Sequence, residues 1–307
     1  MKNTINFYYN IFLDEFIKKD NCYYFYYGGD EYYFVPLNRP YDDVQGIYKL
    51  NLEMKKRKCL VHELVLNKDK SIITVVNGIS YVLIKLCKYK NDKVFLNDIN
   101  YIQNMTVNIE CDKSLVRNDW IKLWSEKIDY YEYQISQVGK KYPLLCDSLS
   151  YFIGMGENAI SYLVNNLDSK TNVNLVVSHK RIYQERGSLN FYDPLNFVVD
   201  SRVRDVAEFI KETFYNKTLN LYDLKSYFNM ANLNKNEYIL LLGRLLFPTY
   251  YFDIYDDIIN NGKSEELVIN IIDRTDEYES LLNTIYKFIL YEKKVRLEPI
   301  EWLQDKN

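Results

Sequence analysis

The 307-residue chain has only two histidines, His62 and His179, with ten glycines and six prolines. A histidine-rich metal centre is thereby excluded. The five cysteines, Cys22, Cys59, Cys87, Cys111 and Cys146, are odd in number, scattered and never in a CxxC pair. That usage fits reduced thiols in a cytosol, and neither a disulfide framework nor a zinc site. No stretch approaches the roughly 20 apolar residues that a membrane-spanning helix needs. The opening residues MKNTINFYYNIFLDEFIKK carry charges inside the apolar stretch and show no cleavage pattern, so no signal peptide is expected. Together these features predict a soluble, cytoplasmic protein. Charge of one sign is lacking too: 39 Lys and Arg stand against 42 Asp and Glu, a net charge of -3. A nucleic-acid binder would carry a basic patch or stripe, and none is present.

Tyrosine, in contrast, is abundant, with 31 residues spread along the whole chain beside many Asn, Lys and Ile. The spread reads as a coding bias toward A and T. A base-stacking surface would need interleaved basic residues. Hydrophobic residues make up 48% and charged residues 26%, which places the chain among ordinary globular proteins and not disordered ones. At this length a split into two lobes is the natural expectation.

Periodicity then orders the chain. Ile5, Tyr9, Phe12 and Phe16 fall three or four apart and predict a helix over Ile5 to Lys18. Cys22 to Tyr27 and Glu31 to Leu37 flank Gly28-Gly29-Asp30, a hairpin signal, and Pro36 and Pro40 stop the second strand. Asp42 to Arg57 reads as a helix capped by Asp42, with Val44, Ile47, Leu50 and Met54 on one face. Strands are expected at Leu60 to Leu66, Ile72 to Val76 and Tyr81 to Leu86, the last two joined by Asn77-Gly78. Residues 1–87 therefore read as a small α+β lobe. A charged linker over Lys88 to Lys93 leads into a mainly helical lobe, residues 88–307. Its helices are predicted over Val116 to Val138, from a cap at Asp147 or Ser148, and over Val203 to Phe214, Asn236 to Leu246, Ser264 to Ile272 and Glu277 to Tyr291. Two short strands, Val173 to Val177 and Phe197 to Val199, interrupt them. Leu245 to Ile254 reads as buried core in which Pro248 breaks a helix.

Two constellations carry candidate chemistry. Gly154-Met155-Gly156-Glu157-Asn158-Ala159 formally matches a dinucleotide fingerprint, but no acidic residue ends the following strand. Small residues that let two helices approach closely are the simpler reading. The second constellation runs from Val176-Val177-Ser178-His179-Lys180-Arg181 through Asn190-Phe191-Tyr192-Asp193-Pro194-Leu195-Asn196 to Val199-Asp200 and a helix opening Arg204-Asp205. Asp193, Asn196 and Asp200 offer the oxygen ligands that magnesium prefers. Equally, Asp193-Pro194 starts a turn, and Asn196 satisfies loop backbone.

A strand, a histidine turn, a second strand ending in Asp and a helix opening with Asp resemble the catalytic region of the aminoglycoside and choline phosphotransferase-like superfamily. Within it the chain is most similar to the diverged spore-coat kinase-like branch of low-GC Gram-positive bacteria. The resemblance covers nearly the whole chain and implies a protein-kinase-like two-lobed α+β fold, with Tyr81 to Leu86 as the hinge strand. It also implies roles: His179 at the His of the His-x-Asp loop, Asp200 as the magnesium-binding Asp, Asp205 as the structural Asp, and Glu53 as the acid of the N-lobe helix. The departures are four. Arg181 occupies the place of the catalytic Asp, and a guanidinium cannot accept a proton. The Asn that should follow at the family's spacing is missing. The strand that should carry a phosphate-binding Lys reads Tyr32-Tyr33-Phe34-Val35-Pro36, and Gly28-Gly29 makes too short a turn to cover phosphates. Arg181, Arg202, Arg204 and Asp205 are then expected to hold the loop to the helix. The resulting expectation is a pseudokinase-type binding protein without a cofactor, acting through an unidentified protein partner and spore-associated by resemblance. The alternative is an ATP- and magnesium-dependent phosphotransferase acting on an alcohol group, with Asp193 as base and Asp200 on the metal. A third reading keeps Gly154 to Ala159 as a nucleotide loop in an α/β enzyme.

Overall fold

Strands rich in aromatic and aliphatic residues build the first sheet. In the computed structural model, which describes residues 1–89, 92–168, 173–184 and 187–304, the chain opens with α1 (Lys2–Tyr9), β1 (Ile17–Lys19), β2 (Cys22–Tyr27) and β3 (Asp30–Pro36). There follow α2 (Asp43–Lys56), β4 (Glu63–Val65), β5 (Ile73–Val76), β6 (Ile79–Lys85) and α3 (Leu96–Thr106). The strands pair antiparallel in the order β1-β2-β3-β6-β4, with β5 also on β6. Gly28 and Gly29 turn the β2–β3 hairpin at φ 59 and 83, and Asn77-Gly78 turns β5 into β6 at φ 50 and 78. Both turns need positive φ, which Gly and Asn adopt at least cost. One sheet face places Tyr23, Phe25, Phe34, Tyr81 and Leu83 against Ile5, Ile11 and Leu13. Phe34 and Tyr81 stack with centroids 4.8 Å apart.

The helix expected over Ile5 to Lys18 is shorter than its spacing predicted. It ends at Tyr9 because Asn10 adopts a left-handed φ of 53 and returns its N–H to Asn6 O. Ile11 and Leu13 then enter the core from an extended chain, and Ile17 pairs with Tyr24. On α2 the expected face, Val44, Ile47, Leu50 and Met54, is buried. Asn51 straps that helix to β4: its Nδ2 donates to His62 O at 2.7 Å, and its Oδ1 accepts from Leu64 N at 3.1 Å. A Cβ added at Gly46 would stand 2.9 Å from Asp112 Cβ, so only glycine permits this approach.

The chain continues through α4 (Trp120–Val138) and α5 (Pro143–Asn166), then β7 (Leu175–His179), α6 (Gly187–Phe191) and β8 (Phe197–Ser201). The remainder is helical: α7 (Val203–Tyr215), α8 (Leu221–Met230), α9 (Lys235–Leu246), α10 (Thr249–Asn261), α11 (Ile269–Ile272), α12 (Thr275–Lys287) and α13 (Glu301–Gln304). Met1–Val116 and Leu175–Asp200 form one compact unit, and Arg117–Asn174 with Ser201–Asn307 forms a second. β7 and β8 make their own two-stranded sheet. Val177 N donates to Thr106 Oγ1 at 3.0 Å and Asn108 N to Leu175 O at 3.1 Å, which ties β7 to the end of α3.

In the second unit α4 packs on α5, α5 on α9 and α9 on α7. The helix expected to start at Asp147 or Ser148 starts at Pro143 instead. Proline at N1 forfeits only an N–H that has no helical partner, so Pro143 opens this helix. Ser148 Oγ is left to bond Leu144 O at 2.7 Å. Gly154 and Gly156 lie in the middle of α5, so the fingerprint has no loop to form. A Cβ on Gly156 would meet Ile128 Cδ1 at 3.0 Å, and one on Gly243 would meet Leu163 Cδ2 at 2.4 Å. These glycines serve close helix packing. Pro248 separates α9 from α10, as the broken-helix reading expected. A buried ionic network joins the three helices α7, α9 and α10. Arg244 Nε donates to Glu208 Oε1 at 2.8 Å, and Lys211 Nζ reaches Glu208 Oε1 at 3.3 Å and Thr249 Oγ1 at 2.9 Å. Burial pushes the Lys211 amine down to about 8.

Candidate functional site

The segment between β7 and β8 gathers most of the residues singled out from sequence. His179 ends β7 and is fully buried. Its ring stacks on Phe191 with centroids 4.4 Å apart and meets Phe197 edge-on at 5.3 Å. Its Nε2 donates to Phe191 O at 2.8 Å. Asn196 works as a clamp: its Nδ2 donates to Arg181 O at 2.9 Å and to Asn190 O at 3.2 Å, its Oδ1 accepts from Arg181 N at 3.4 Å, and its carbonyl accepts from Lys180 N at 2.8 Å. Arg181 turns back on the chain, its Nη1 donating to Lys180 O at 2.7 Å.

Asp193 opens a single 3-10 turn, Pro194–Asn196, and accepts from Leu195 N at 2.8 Å. Burial pushes its carboxyl up to about 6, against the opposing pull of that N–H and of the Lys180 and Arg39 charges. Arg39 stands between β3 and α2 with its side chain fully buried. Its guanidinium donates to Leu195 O at 3.2 Å, Phe197 O at 2.5 Å and Asp43 Oδ2 at 3.0 Å. Sequence reasoning missed this anchor. The available signal was the i,i+4 spacing of Arg39 and Asp43 across a helix start.

His62 is a second unforeseen anchor. Its Nδ1 accepts from Cys87 N at 3.0 Å, which fixes the proton on Nε2, donated to Leu189 O at 3.0 Å. Burial lowers its pKa to about 4, so the ring is neutral at physiological pH. On β2 and β3, Tyr26 Oη donates to Glu31 Oε1 at 3.0 Å and Tyr24 Oη donates to Glu31 Oε2. Glu31 is thereby occupied, and β3 carries no lysine.

The remaining candidates lie on α2, near the end of β8 and at the start of α7. Glu53 on α2 pairs with Lys56 at 3.1 Å and Arg57 at 3.8 Å and lines a surface pocket with Glu110 and Asp112. Asp200 is 0% exposed at the end of β8. Arg204 and Asp205 are buried in the first turn of α7. Arg202, expected to hold the loop, makes a bidentate pair with Glu237 of α9 at 2.7 Å through both nitrogens. Among the described residues no group of three His, Cys, Asp or Glu side chains could hold a metal ion. Nor does any helix there have the length and apolarity to cross a membrane.

Residues 2–285 match the family described as "Spore coat putative kinase YutH". The chain belongs to the YutH family of spore-coat kinase-like proteins. It is 30% identical over 207 residues to the endospore coat-associated protein YutH of Bacillus subtilis, an alignment covering 60% of this chain and 61% of that protein. The chain thus matches about three fifths of the length of this curated relative. Among solved structures it is similar to an aminoglycoside phosphotransferase from Alicyclobacillus acidocaldarius, with a TM-score of 0.65 and 10% identity over 94% of this chain and 96% of that one. The spectinomycin phosphotransferase APH(9)-Ia, solved with ADP and spectinomycin, aligns at a TM-score of 0.58 and 9% identity over 86% and 89%. The amicoumacin kinase hAmiN, solved with AMP-PNP and calcium, aligns at 0.51 and 13% over 98% and 95%. At these identities the similarity establishes the fold: a two-lobed, protein-kinase-like α+β architecture. In this YutH-family chain Arg181 follows His179 at the second position, where the resemblance places the proton acceptor.

Proposed function

We propose that this chain is a binding or scaffold protein of the spore coat, built on a phosphotransferase fold whose chemical site is degenerate. The observation that carries this reading is the use made of the loop's polar groups. Arg181 and Asn196 are both engaged by loop backbone and not turned toward a substrate. The residues present do not fit an ATP–magnesium clamp. β3 has no lysine for the phosphates, Glu53 is paired on its own helix, and a guanidinium stands where a base should be. What these residues do instead is hold one conformation of the loop, as a recognition surface requires.

A second reading is favoured by one observation: burial raises the carboxyl of Asp193 to about 6, inside the range of a general base working near neutrality. On that reading the chain transfers phosphate to an alcohol, and Asp193 takes the proton. A thermal-shift titration with ATP, with and without magnesium, separates the two. A ligand at ~100 times its dissociation constant stabilises a fold by ~2.7 kcal/mol. The binding-module reading expects no shift at millimolar ATP and no transfer of the γ-phosphate to any alcohol. A magnesium-dependent shift, with transfer abolished in Asp193→Asn, would replace it by the second reading.

A further inference from the structure

We propose that the open edge of β2 takes an extended, lysine- or arginine-bearing segment of a protein partner, added to the sheet as a further strand. The proposal deepens the binding-module reading and rests on it for the expectation of a protein partner. The register makes the case. β1 covers β2 only from Cys22 to Tyr24, through Lys19↔Cys22, Lys18↔Tyr23 and Ile17↔Tyr24. β2 runs on to Tyr27, and β1 is the last strand of the sheet on that side. Among the described residues, the outer edge of β2 over Phe25, Tyr26 and Tyr27 therefore faces no strand. The short β1 is guarded by Lys18 and Lys19, the usual protection of a free edge. The open stretch of β2 reads Phe-Tyr-Tyr, with neither a charge nor a proline.

Beside that edge lies a groove of about 570 Å³, walled by the chain between Phe12 and Ile17 on one side and by Tyr24 to Gly28 on the other. Phe12, Ile17 and Tyr26 are 70%, 66% and 65% exposed around it. Concentrated apolar exposure of this kind marks an interaction site more often than a bare surface. Its only charged lining groups among the described residues are Asp14 and Glu15.

These features select the occupant. An unpaired strand edge offers alternating N–H and C=O groups, and an extended chain is what satisfies them in series. The groove beside the edge then receives alternate side chains of the added strand. Two carboxylates at the wall favour lysine or arginine there, and the aromatic rings add cation–π attraction. A second copy offering the same edge would bring Asp14 and Glu15 near their own equivalents, which like charge opposes. An anionic lipid surface is repelled for the same reason.

The test is fluorescence anisotropy of the full chain, without nucleotide, against a short synthetic peptide alternating lysine with tyrosine and valine. Saturable binding is expected, weakened about tenfold by Asp14→Lys with Glu15→Lys and by Phe12→Ala with Tyr26→Ala. All four side chains lie outside the core, so circular dichroism should show the fold retained. The same peptide N-methylated at alternate residues should not bind, because it cannot make the ladder. Four results would each overturn the proposal: no saturable binding, equal binding of the N-methylated peptide, equal binding of a glutamate-for-lysine peptide, or unchanged affinity in both double variants. A concentration-dependent dimer in sedimentation that the Phe12→Ala, Tyr26→Ala protein has lost would assign the edge to a second copy and also overturn it. Phosphate transfer is assayed separately. Activity there removes the binding-module reading whatever the peptide does, and failed peptide binding in an ATP-silent protein removes this surface alone.

Discussion

Two titratable side chains pull the stability of this protein in opposite directions over one pH window. Asp193 ordinarily titrates at 3.8, and burial raises it to about 6. The folded state then keeps a proton that the unfolded chain releases, so this group's contribution falls as pH rises from about 4 to about 6. His62 is displaced the other way, from 6.5 down to about 4. There the unfolded chain takes the proton first, so the His62 contribution is full above about 6.5 and is lost as pH falls toward about 4. The wild-type stability profile should accordingly be flatter than either group alone would give. The Asp193→Asn variant separates them, since asparagine still accepts from Leu195 N but does not titrate. Its stability relative to wild type should rise by on the order of 2 kcal/mol between about pH 4 and about pH 6.5 in urea melts. A constant difference would show that Asp193 is not desolvated. His62→Phe should cost roughly 1–3 kcal/mol for each of the two backbone groups it leaves buried and unpaired, Cys87 N–H and Leu189 C=O. None of this was legible in the sequence. The spacing of His179, Asp193, Asn196 and Asp200 located the segment, but side-chain direction decides whether Arg181 faces a substrate or its own carbonyls.

Elements were more legible wherever period and punctuation agreed. The hairpin at Gly28-Gly29, the helix from Asp43, the strand from Ile79 and the helix after Ser201 all carry a clean repeat bounded by turn or cap residues. The helices α3 and α8 went unforeseen, and α10 was anticipated only as far as the break at Pro248. α10 reads TYYFDIYDDIINN, rich in aromatic and β-branched residues with weak helix preference. Burial of Tyr251, Phe252, Tyr255 and Ile258 overrides that preference. Packing between elements gives two further tests. Gly243→Ala drives a methyl group into Leu163 and should destabilise by about 1–3 kcal/mol, partly relieved when Leu163→Ala is added. Glu208→Leu leaves Lys211 and Arg244 buried without their shared carboxylate, and should cost about 3–5 kcal/mol in a denaturant series.

At the scale of the molecule, the sequence announced a small α+β lobe followed by a helical one. What it could not announce is that Leu175–Asp200 belongs to the first compact unit. Arg39 and its acceptor at Leu195 are 156 residues apart in sequence, and no local pattern reports such a contact. The ATP titration is the matching measurement at this scale, because it reads the whole fold and not one loop.

That discontinuity has a consequence for synthesis. When Val116 leaves the ribosome, the residues that complete the first unit have yet to be made, with all of Arg117–Asn174 still to come before Leu175. Until Leu195 and Phe197 arrive, Arg39 lacks the two backbone carbonyls it binds in the folded chain, and His62 lacks Leu189. The nascent first unit must wait, with Arg39 and His62 still lacking these carbonyls, while the first helices of the second unit are translated. A fragment ending at Val116 should therefore show no cooperative melt, whereas a chain extended through Asp200 has every residue its first unit needs.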